Sequence, residues 1–88
     1  MALKDLKAGQ RLRTLRERAG LSMGDVEELA RDLAQTRRNP RLRVPKARLC
    51  DIETKGRIPS IYCLYALALV YDSDIRTLLA FYLPDSIR

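Results

Sequence analysis

Apolar positions recur along this chain at helical spacing. Ala8, Leu12, Leu15 and Ala19 follow at i, i+4, i+7 and i+11, one stripe of a first helix predicted from about Leu6 to Arg18. Gly20 ends it as a left-handed residue would. Ser22, with Asp25 three residues on, has the form of a capping box, in which each residue satisfies the other's orphan amide. Behind it Val26, Leu29, Ala30 and Leu33 make a second inward stripe. From Gln35 to Arg43 the periodicity is lost, and Asn39-Pro40 interrupts any helix because proline disfavours helical geometry in the residue before it. That stretch reads as a loop. Pro45 suits a first helical position, where its missing N–H costs nothing. Leu49, Ile52 and Glu53 then follow with inward spacing until Gly56, a short third helix from about Pro45 to Lys55. Pro59-Ser60 marks a turn and an N-cap for Ile61 to Tyr71, which is apolar on every face and must therefore be covered on more than one side. Asp74 caps a fifth helix whose Ile75, Leu78, Leu79 and Tyr82 point one way. The expectation is an all-α chain forming one domain over residues 1–88, without repeats or low-complexity segments.

Charge sharpens this picture. No acidic residue stands between Asp32 and Asp51, yet Arg37, Arg38, Arg41, Arg43, Lys46 and Arg48 all do. The other eleven basic residues match the eleven acids, so the whole +6 excess lies in that one window. Such a patch is the electrostatic footprint expected for nucleic acid, whose phosphates confer affinity through counterion release; the bland alternative is a solvated linker.

Size and residue types narrow the function classes. A domain of 88 residues buries only about 60 to 65% of its unfolded surface, so its core is modest. The longest apolar stretch, Ile61 to Tyr71, falls well short of the roughly 20 residues a bilayer span needs, and no charged segment followed by an apolar run opens the chain; a cytoplasmic protein without a membrane partner is expected. Histidine is absent and Cys50 and Cys63 lack metal-ligand spacing, which leaves neither a thiolate–imidazole zinc site nor a His-based catalytic pair. With no nucleophile–base pair and no glycine-rich phosphate loop either, the chain is expected not to be an enzyme and to need no cofactor or small-molecule ligand. In a reducing compartment the two cysteines are expected to stay unbridged, Cys50 as a small inert side chain. Tyr62, Tyr65, Tyr71, Phe81 and Tyr82 cluster in the last third at helical spacing, which argues for core and interface rather than for a base-stacking platform.

The segments GQRLRTLRERAGLS, DVEELARDLA and VPKARLCDIETKGRIPS, followed by LALVYDSDIRTLL, resemble the five-helix DNA-binding domain of the phage-repressor, Cro-like (xenobiotic-response-element type) helix-turn-helix family, from about Gly9 to Leu79. The resemblance implies a lambda-repressor-like fold with an extended basic loop between helices two and three. About nine extra residues separate Leu33 from Val44, and Met23 stands where the family commonly has a polar residue that touches a phosphate. It also implies that the third helix enters the major groove, with Lys46, Ala47, Arg48 and Asp51 reading base edges and Arg48 the foremost of them. Arg37, Arg38, Arg41, Arg43, Lys55 and Arg57 would contact phosphates, and Arg16 and Glu53 would form an ion pair between helices one and three. The implied function is a sequence-specific, double-stranded-DNA-binding transcriptional regulator. A surplus of apolar residues over Ile61 to Tyr71 with Phe81, Tyr82 and Leu83 points to a homodimer. The alternative is a protein-interaction module, antitoxin-like or scaffold, on the same fold.

Overall fold

The computed structural model describes residues 6–83, which form five α-helices and one 3-10 turn with no β-strand. The helices are α1 (Leu6–Arg18), α2 (Met23–Thr36), α3 (Lys46–Thr54), α4 (Ile61–Val70) and α5 (Ile75–Tyr82), and the 3-10 turn is Pro40–Leu42. Helices α2, α4 and α5 each start at a residue whose side chain accepts from one of their first amides. Ser22 accepts from the Asp25 amide at 3.0 Å while Asp25 accepts from the Ser22 amide at 2.9 Å, the reciprocal arrangement that holds the start of α2. Those bonds also keep the Asp25 carboxyl below the usual carboxylate range. Ser60 caps α4 through the Cys63 amide, and Asp74 caps α5 through the Arg76 amide.

Helices α1, α2 and α4 end alike. A residue in the left-handed region, Gly20, Arg38 or Asp72, is followed by an amide that reaches back to a carbonyl five residues earlier: Leu21 to Arg16, Asn39 to Ala34, Ser73 to Ala68. Only the first of these ends uses glycine, at φ 74°; Arg38 and Asp72 hold φ 52° against the Cβ clash that penalises this region.

Packing follows from the apolar faces. Helix α1 lies against α3 and α5, while α2 contacts α3, α4 and the 3-10 turn. Helix α4 is covered by α2, α5 and the 3-10 turn, as an element apolar on every face requires. Leu12, Leu49, Ile52, Leu67 and Leu78 are wholly buried, each stabilising the fold by about 1.5–3 kcal/mol relative to an exposed side chain.

Four expectations are corrected. The segment 35–43 is not an irregular loop: α2 continues to Thr36, Asn39 caps the 3-10 turn through the Arg41 amide, and Leu42 and Val44 enter the core. Pro45 is the N-cap of α3 rather than its first helical residue, because its ψ of 143° is extended. Leu29 is 42% exposed, since the buried face of α2 is centred on Val26, Ala30 and Ala34 and Leu29 falls on its margin. Ala19 lies beyond the end of α1 and is exposed.

Candidate nucleic-acid interface

Helix α3 is anchored along one side and open along the other. Leu49 and Ile52 fill the core beneath it, and Gly9 of α1 comes so close that a Cβ there would overlap the Ile52 carbonyl oxygen. Glycine is thus required for α1 and α3 to reach their contact distance. Two turns further along α1, Arg16 makes a two-pronged contact with Glu53: Nε donates to Oε2 at 2.8 Å and Nη2 to Oε1 at 2.9 Å. Its remaining Nη1 donates to the Leu21 carbonyl at 2.8 Å, which ties the α1–α2 turn into the same joint. Both residues are buried, and the hydrogen bonds that Arg16 donates to the Glu53 carboxylate raise the Arg16 pKa further, burial opposing. The buried Tyr71 ring lies close enough for its phenol to be pushed up, by burial first and by the Glu53 carboxylate second; among the described residues its hydroxyl has no hydrogen-bond partner.

The start of α3 is held from a second direction. Pro45 offers no capping side chain, which leaves the Lys46 amide without a local acceptor, and Oε2 of Glu27 on α2 accepts from it at 2.9 Å. A carboxylate at this end also complements the helix dipole. The crossing of α2 and α3 is therefore fixed through a main-chain group.

On the open side Ala47 and Thr54 are exposed, and Cys50 and Asp51 are half-buried. The Thr54 hydroxyl donates to the Cys50 carbonyl within the helix. Lys46 is exposed at its start, and Lys55 pairs loosely with Asp51 at 3.6 Å. Arg48 is half-buried on the flank that faces the 3-10 turn and the start of α4.

The basic segment wraps onto α4. Arg37 Nη1 donates to the Tyr65 hydroxyl at 3.0 Å and Arg41 Nη1 to the Tyr62 hydroxyl at 2.9 Å, each guanidinium also lying near its partner's ring. Arg38 and Arg43 are exposed, as are Lys55 and Arg57 beyond α3. The residues expected at phosphates therefore do not form one cluster: Arg41 and Arg43 come together beside Arg48, Arg37 lies by Tyr65, and Lys55 and Arg57 follow α3. No family model, curated protein or solved structure matches this chain. Among the described residues no helix is long and apolar enough to cross a membrane.

Sequence reasoning missed Gly9, Glu27, Tyr62 and Tyr65 as parts of this surface. An unaccompanied proline N-cap signals that an outside acceptor is needed for the next amide, but no spacing in the chain points to Glu27. Tyr62 and Tyr65 at i, i+3 opposite a basic segment are a signal only once that segment is known to lie across α4.

Proposed function

We propose that this chain is a sequence-specific double-stranded-DNA-binding transcriptional regulator of the lambda-repressor-like helix-turn-helix kind, acting as a homodimer on an operator and without catalysis. The observation that carries this reading is the mounting of α3: one side held by Arg16–Glu53, Gly9 and Glu27, the other presenting Ala47, Cys50, Asp51 and Thr54 to solvent. A rigid helix with one free face suits the major groove, which admits a single helix. The acid-free run of six basic residues that leads into it along the chain supplies the field that draws in the duplex. In this reading Lys46, Ala47 and Asp51 meet base edges, Ala47 against a thymine methyl and Asp51 as acceptor for a cytosine amino group. Two-fold pairing places the helices about 34 Å apart, so the operator is an inverted repeat.

A second reading, a protein-interaction module, is favoured by the apolar stripe on α4, where Ile61, Tyr65 and Leu69 are 53%, 36% and 42% exposed. Gel shifts against random duplex DNA at 50 and 200 mM salt separate the two. The regulator binds with an affinity that falls steeply with salt; an interaction module shows weak binding at both concentrations.

A further inference from the structure

A shallow notch of about 400 Å³ opens between the 3-10 turn, the flank of α3 and the start of α4. Arg41, Arg43 and Arg48 line it together with Pro45, Ser60 and Tyr62, and no acidic residue does. The three guanidinium groups come from two elements and the segment between them, which a chain avoids without a reason to gather like charges. Among the described residues, neither Arg43 nor Arg48 has an ion-pair or hydrogen-bond partner for its side chain. Arg41 is oriented by the Tyr62 hydroxyl through Nη1, which leaves its other donors for a ligand. Burial of Leu42 and Val44 on either side of Arg43, with Leu49 next to Arg48, fixes the backbone from which these side chains extend. The positive end of α4 adds to the same potential.

We infer that this notch is an anion site that clamps one phosphate of the DNA backbone, and that Arg48 is a phosphate ligand within it rather than a reader of bases. Arg48 leaves α3 on the flank toward Ser60 and Tyr62, roughly a quarter-turn from the direction of Ala47 and Asp51 at 100° per residue. A guanidinium there, beside two others, suits the forked geometry of a phosphate. The inference rests on the DNA-binding reading for the source of the phosphate, whereas the site itself is defined by its arginines alone.

Two measurements test it separately. Inorganic pyrophosphate is titrated into the isotopically labelled chain while arginine Nε–H and backbone amide resonances are followed. The expected result is a saturable shift centred on Arg41, Arg43, Arg48, Ser60 and Tyr62 that disappears in Arg43→Ser/Arg48→Ser; small unsaturated shifts spread over all basic residues would mean an adventitious ion only and would overturn the site. Duplexes selected from a random pool are then compared with scrambled ones. Arg48→Ala should weaken binding to both by the same factor, flatten the slope of log affinity against log salt by about 0.9, and leave the selected preference unchanged. A lost preference at one base pair with an unchanged slope returns Arg48 to base reading and overturns the inference. Wild-type chain that binds no duplex at all defeats the proposed function, while the pyrophosphate titration still decides the site.

Discussion

Glu53 shows how much one side chain on α3 depends on what stands behind it. Its carboxylate has left water almost entirely and is compensated by two hydrogen bonds from Arg16. Removing one member of such a pair strands the other, so Glu53→Ala should cost about 3 kcal/mol or more. Asp51, two positions earlier and partly exposed, shares only a 3.6 Å contact with Lys55, and Asp51→Ala should cost under about 1 kcal/mol. Thermal melting of the two variants checks the contrast, and equal melting temperatures would deny the joint its role. Cys63 provides a different residue-level test. Burial pushes its thiol from 9.0 up to about 11, with Arg48 and Arg57 pulling the other way. The folded state favours the neutral thiol, so the stability tied to it is complete below pH 9 and is lost as pH rises through about 11. Melting temperatures measured across that window should fall more steeply for the wild type than for Cys63→Ala; parallel slopes would place the alkaline sensitivity elsewhere.

Among the elements, the segment between α2 and α3 is where pattern reading and structure part. Helices with large apolar residues every third or fourth position were legible, as were their caps at Ser22, Ser60 and Asp74, because these signals are local. In the segment 37–45 apolar residues occur only at Leu42 and Val44, two apart and flanked by arginines, a spacing that matches no helical face. Their burial depends on α2 and α4 already standing where they do, which is tertiary information. The same holds for Glu27 at the Lys46 amide and for Arg37 and Arg41 on Tyr65 and Tyr62. The residues outward on α3 could be inferred from Leu49 and Ile52 being inward, whereas the separation of Arg48 from them needed the path of the 3-10 turn. A built-in segment and a loose loop differ measurably: Leu42→Ala should destabilise by about 2–5 kcal/mol, the range for truncating a buried leucine, where a solvated loop would lose almost nothing. Urea denaturation midpoints decide between them.

At the scale of the whole molecule, the stripe of Ile61, Tyr65 and Leu69 along α4 stays partly exposed among the described residues. For the dimeric reading this is the surface that pairs, so light scattering at tens of micromolar should give twice the chain mass, and Leu69→Asp should halve it and remove the dependence of the melting temperature on protein concentration. A wild-type monomer at that concentration would remove the dimer from the proposal. The mounting of α3 carries a consequence of another kind. Its supports are Gly9 against a carbonyl, Glu27 on an amide, and Glu53 with Leu49 and Ile52 beneath, so none involves the side chains of Ala47, Cys50, Asp51 or Thr54. Those four positions can be varied together while the helix keeps its place, which, if the proposed DNA reading holds, makes the domain a chassis on which new specificities could be installed by changing only the residues it displays.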